Sequence, residues 1–88
     1  MIDWKDPIHP GEVLAGELDE IGLGASQLAR TIGVPKEQID QLLQGQQNMT
    51  ADIAQRLGDY FNTGAQFWLN LQTAYEQDLV IVQQEILN

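Results

Sequence analysis

The chain contains no cysteine, a single histidine, and only four lysines and arginines against thirteen aspartates and glutamates. Without cysteine, neither disulfide nor thiolate chemistry is available. With His9 as the one imidazole, no histidine-rich metal set can be assembled. There is no glycine-rich phosphate loop and no nucleophile beside a base. No enzymatic activity, metal or cofactor is therefore expected. No apolar run approaches the ~20 residues of a membrane-spanning helix, and the first residues, MIDWKDPIHP, do not have the order of a secretory signal. A soluble, cytoplasmic protein without a membrane partner is expected. Strand-like alternation, linkers, repeats and low-complexity tracts are absent as well. What remains is an all-α reading of residues 1–88 as one domain, small enough that dimerisation would help its core.

Punctuation residues divide the chain into five helices. Pro10 suits a first helical position and Glu12 the first turn, which predicts a helix from about Pro10 to Ile21 that buries Val13, Leu14, Leu18 and Ile21. His9, just before it, is expected to cap or order its start rather than to act as a base. Gly22 and Gly24 close the next turn. A second helix is predicted over about Ala25–Ile32, a third over Pro35–Gln44, and a fourth from the N-cap Thr50 through Phe61. Asn62 ends the fourth, and Thr63 with Gln66 fits a capping box for a fifth, which starts near Gly64 and runs almost to Asn88.

The stretch from Leu23 to Thr50 has the pattern of a helix-turn-helix. Leu28, Ala29 and Ile32 share one face of a short helix, Gly33 breaks it, Val34 plugs the corner, Pro35 starts the next helix and Gly45 ends that one. Ala29 lies where two helices approach closely, so only a small side chain fits. Val34, Ile39, Leu42 and Leu43 point inward. The outer face of the second helix then carries Lys36, Glu37, Gln38, Asp40, Gln41 and Gln44, and glutamine amides suit adenine edges in a major groove. The same pattern also fits a plain helical hairpin inside a bundle.

From Ile8 to Tyr75, the segments IHPGEVL, LARTIGVP, the Gly45 stop, MTADIAQRL and FWLNLQTAY together resemble the HigA-type, or VapI-like, antitoxins of the phage-repressor (XRE) helix-turn-helix superfamily. FWLNLQ is the specific part, whereas the helix-turn-helix is shared far more widely. The resemblance implies a five-helix repressor-like domain and a homodimer on double-stranded operator DNA. It also implies capture of a basic, RNA-cleaving toxin protein. By match to repressor recognition helices, Gln41 would lie nearest the bases with Lys36, Glu37 and Gln38, and Gln44 at the end of that helix. Gln27, Gln46, Gln47 and Asn48 would hold phosphates together with the amides at Ala25 and Ser26. Relatives often carry Lys or Arg after the Gly45 position, where this chain has Gln46, Gln47 and Asn48.

The net charge of −9 is unusual for a DNA binder, since phosphate neutralisation supplies most of that affinity. Its distribution is uneven. Residues 1–22 hold six acids against Lys5, and residues 51–88 hold five against Arg56. Residues 23–50 balance Glu37 and Asp40 with Arg30 and Lys36. The acid thus lies outside the reading head, and Glu12, Glu17, Asp19 and Glu20 form either a solvated face or a landing site for a basic partner.

In the fifth helix, Trp68, Leu71, Tyr75, Leu79, Val82 and Ile86 step by three, four, four, three and four, the seam of two helices packed along each other. Trp68 and Leu71 are expected to pack within the monomer, and Tyr75, Leu79, Val82 and Ile86 against a second copy. A frayed or strand-like end over the last eight residues is the alternative, since Leu79 to Val82 is rich in β-branched residues. Two functions follow: a dimeric antitoxin that represses its own operon, or a protein-binding module or solitary regulator with weak or lost DNA binding.

Overall fold

A computed structural model describes residues 7–87, with side chains described through Ile81. Its helices are α1 (Pro10–Ile21), α2 (Ala25–Ile32), α3 (Lys36–Leu43), α4 (Ala51–Phe61) and α5 (Ala65–Leu87). The all-α architecture agrees with the sequence reading, and boundaries shift by a residue or two. Pro35, for instance, is the N-cap of α3 with extended ψ of 140° rather than its first residue.

His9 caps α1, and it does so reciprocally. Its Nδ1 accepts from the Gly11 N–H at 2.9 Å, while its own N–H donates to Glu12 Oε2 at 2.9 Å. Two amides that the helix leaves without partners are thereby satisfied, a role usually taken by Ser or Thr. Thr50 Oγ1 caps α4 by accepting from the Ile53 N–H at 3.2 Å. The capping box expected at Thr63 and Gln66 does not form: the Thr63 hydroxyl donates to the Gly64 carbonyl, and Gln66 donates to Asn70 one turn on. The reason is that α5 begins at Ala65, one residue later than the box requires.

The core combines Leu14 and Leu18 of α1, Leu28, Ala29 and Ile32 of α2, Ile39 and Leu42 of α3, Met49, the α4 residues Ile53, Ala54 and Leu57, and Trp68 of α5. Each large aliphatic side chain buried this way stabilises by roughly 1.5–3 kcal/mol. Trp68 is fully buried, its ring 5.8 Å from Phe61 and 5.1 Å from Phe67. Ile21, expected in this core, is 52% exposed. It sits at the last residue of α1, where the helix has run past the elements that cover Leu14 and Leu18, and the αL turn at Gly22 carries the chain away.

Two glycines permit close backbone crossings. A Cβ on Gly11 would lie 1.8 Å from the Leu42 carbonyl oxygen, so α1 and α3 pack backbone against backbone. A Cβ on Gly58 would lie 2.3 Å from the Gly64 carbonyl carbon, at the α4–α5 corner. The principal extents of 45 × 23 × 22 Å reflect α5, whose 23 residues far outrun the bundle. It remains helical through Leu87, so the strand-like ending is not taken.

Candidate nucleic-acid interface

The turn between α2 and α3 is built as its sequence demands. Gly33 adopts φ 77°, and its N–H and that of Val34 both reach the Ala29 carbonyl, at 2.9 and 3.0 Å. Ala29 is 3% exposed at the contact, and Val34 is half-buried against the core. With Ile39 and Leu42 fully buried, α3 is fixed in rotation about its axis, and Lys36, Glu37 and Gln38 are exposed on its outer side.

The expected base-reading residues do not all stand equally free. Gln41 is half-buried, and its main-chain carbonyl accepts from the Gln46 N–H at 2.8 Å. Lys36 Nζ is 2.6 Å from Asp40 Oδ2, an exposed i,i+4 pair of small energetic weight that nonetheless spends part of the helix's positive charge locally. Gln44, at the C-cap of α3, is exposed, as are Gln46 and Asn48 in the loop beyond; Gln47 is half-buried. Gln27 is exposed near the start of α2, whose N-cap, Gly24, offers no side-chain acceptor to the first amides. Those amides are therefore available to an anion in the way a helix N-terminus allows.

Two positions that hold this surface in place carry no signal in the sequence pattern. Arg56 of α4 donates from Nη1 to the Ile32 carbonyl at 2.7 Å, satisfying the C-terminal end of α2 and complementing its dipole, while its Nε lies 3.1 Å from Asp52 Oδ2. The i,i+4 spacing of Asp52 and Arg56 is visible in the chain, but the target across the fold is not. Gln72 of α5, 6% exposed, accepts the Met49 N–H at 2.7 Å and so ties the loop after α3 to the last helix.

The acids on α1 differ among themselves. Glu17, Asp19 and Glu20 are exposed, whereas Glu12, though exposed, is committed to the α1 cap. On α5, Tyr75 is half-buried with its ring 4.9 Å from that of His9 in an edge-on arrangement, and Leu79 is half-buried. Val80 and Ile81 are 53% and 49% exposed. Val82 and Ile86 lie outside the described side chains. Among the described residues no cluster of His, Cys, Asp or Glu could hold a metal ion, and no helix is long and apolar enough to cross a membrane.

No family model matches the chain, but individual proteins do. Virulence-associated protein I of Dichelobacter nodosus is 46% identical over 79 residues, spanning 89% of this chain and 71% of that protein. An addiction module antidote protein of the HigA family from Coxiella burnetii superposes with a TM-score of 0.86 at 41% identity, covering 90% of this chain and 87% of its own. The chain belongs to the HigA-type antitoxins. A further member, the Pseudomonas aeruginosa antitoxin HigA solved with the higBA promoter, gives a TM-score of 0.84 at 40% identity over 90% of this chain and 87% of its own. With nine-tenths of the chain covered, the likeness extends well beyond the helix-turn-helix that HigA-type proteins share with other repressors.

Proposed function

We propose that the protein is a dimeric, operator-binding antitoxin, with α3 of each protomer in successive major grooves about 34 Å apart. The observation that carries the reading is the docking of α3. Its apolar face is locked by Ile39 and Leu42, leaving Lys36, Glu37 and Gln38 outward, next to an uncapped α2 N-terminus and an amide-rich loop at Gln44, Gln46, Gln47 and Asn48. A relative of 40% identity has been solved with promoter DNA, which supports it. Bases would be read by Gln38 and Gln41 amides with Lys36 and Glu37 beside them, and phosphates held by Gln27, the loop and the α2 amides. The α5 seam of Tyr75, Leu79, Val82 and Ile86 would join the protomers. DNA as partner implies the cytoplasm.

Changing Lys36, Gln38 and Gln41 together to alanine should weaken operator binding by at least tenfold, since one bidentate base contact alone is worth ~1–3 kcal/mol. In fluorescence anisotropy, undiminished affinity would remove α3 from the DNA contact.

The neutral reading head favours an additional role in protein capture. Its positive charge is limited to Arg30 and Lys36, and Lys36 is paired with Asp40. A basic, RNA-cleaving toxin would settle on the acidic outer side of α1, at Glu17, Asp19 and Glu20 with Glu12 at its start. By neutralising that acid it would also relieve repulsion from phosphates. Adding the co-encoded toxin to an operator titration should therefore raise affinity, most at low salt. Unchanged or reduced affinity at every ratio would restrict the acid to toxin capture.

A further inference from the structure

The loop from Gln44 to Thr50 has no regular structure, yet its end is bonded to the last helix and its start lies under a ring that the last helix also meets. At its start, the His9 ring packs over Gly45, with Cγ 3.8 Å from where a Cβ would stand, and the same ring meets Tyr75 edge-on. At its end, the Met49 N–H is buried and points into the protein, where the Gln72 Oε1 accepts it at 2.7 Å. Gln72 Nε2 in turn donates to Glu76 Oε2 at 3.1 Å, which fixes which way round the amide stands. Positions 72, 75, 76 and 79 are one face of α5 at helical spacing. The helix that the proposed dimer engages is thus bonded directly to the loop carrying Gln46, Gln47 and Asn48.

We infer that Gln72 is a positioning residue for DNA binding: its bond to Met49 holds the Gln46–Asn48 loop in the conformation that meets the phosphate backbone. The inference rests on the proposed loop–phosphate contact. Physically, a buried main-chain donor must be paired. Taking away its acceptor shifts the balance between the held and released loop by about tenfold to a hundredfold toward release. A released loop binds more weakly because ordering it again on DNA costs entropy. The residue never touches the nucleic acid, so its signature is weaker phosphate binding caused from a buried site.

The test uses the full-length protein and its own promoter DNA at several salt concentrations. Gln72→Met keeps the bulk of the side chain and removes the acceptor. Gln72→Asn keeps the amide but withdraws it by one methylene, and serves if the first variant does not melt cooperatively. Either should weaken binding about tenfold at every salt concentration and leave the dependence of log affinity on log salt unchanged, because the loop's amides are neutral and release no counterions. The exchange-coupled double variant Gln72→Glu with Glu76→Gln keeps an acceptor for Met49 and the overall charge but moves the carboxylate into a buried site, and should bind more tightly than Gln72→Met. Protection of the Met49 amide from hydrogen exchange should follow the same order. Changing Gln46, Gln47 and Asn48 together to alanine separates the two ideas. If that triple variant loses affinity while both Gln72→Met and Gln72→Asn retain it, Gln72 serves stability alone and the inference is wrong. If the triple variant itself retains its affinity, the loop does not contact phosphates and both readings fall.

Discussion

Gly11→Ala should destabilise the protein by at least ~2–3 kcal/mol, the upper range for overpacking a filled site. The added methyl would lie 1.8 Å from the Leu42 carbonyl oxygen, and neither atom belongs to a side chain that can rotate aside. Relief requires α1 and α3 to separate, which uncovers Leu14, Leu18, Ile39 and Leu42, four side chains at most 5% exposed. For a domain of this size the midpoint of thermal unfolding should fall by ~10 °C or more. Gly16→Ala is the matched control. It lies in the same helix with nothing within 4 Å of its Cβ position, so the substitution should stabilise by about 0.5–1 kcal/mol through helix propensity alone. Calorimetry giving the two variants the same midpoint would mean that the α1–α3 crossing is not closely packed. Because Leu42 belongs to α3, the proposed reading helix, the variant should also lose operator affinity.

That glycine sits in the PGEV segment, and its significance is not legible in the chain, because a close approach depends on which helix arrives from elsewhere. Local signals fare better. Pro10, Thr50, Gly33 and Asn62 mark helix ends through dihedral preference and capping, properties that need no tertiary context, and each stands where its chemistry indicates. The apolar spacing of Leu28, Ala29, Ile32, Ile39 and Leu42 likewise determines which faces are buried, and hence which face of α3 is outward. Ile21 misleads because periodicity continues to the end of a helix even where the neighbouring elements do not. Gln72 and Arg56 read as ordinary polar surface positions on α5 and α4. Their partners, the Met49 amide and the Ile32 carbonyl, are main-chain groups 23 and 24 residues away, and a backbone partner leaves no mark in the sequence. The histidine cap is indicated by position, but the reciprocal bond with Glu12 is not, and it withdraws part of one acid from the surface assigned to a toxin.

Leu79→Asp with Val82→Asp should convert the protein to a monomer and reduce operator affinity by roughly a hundredfold or more, since joining two half-site readers raises affinity by about 10²–10⁴ without any new contact. Helix α5 continues well beyond Ala65, Trp68, Leu69 and Leu71, the residues it lays in or against the core. Tyr75 is already partly covered by His9, so the free part of the seam begins at Leu79, where Val80 and Ile81 leave about half their surface in water. Apolar residues on all sides of a projecting helix are stable only if something covers one of them, and a second α5 in antiparallel or parallel register satisfies the three- and four-residue steps. An aspartate in that seam would have to be buried without a partner charge, which opposes association by several kcal/mol. Leu79 lies outside the core cluster, so its change leaves that core intact. The proposed reading residues on α3 are also unaltered, so the loss should appear in two separable ways. Sedimentation should give the monomer mass, and the salt dependence of binding should fall to about half, because only one protomer's phosphate contacts remain. A variant that stays dimeric would place the interface elsewhere on the surface. A true monomer that binds the full operator as tightly as the parent would contradict the paired-groove reading, and leave α5 free for a different partner.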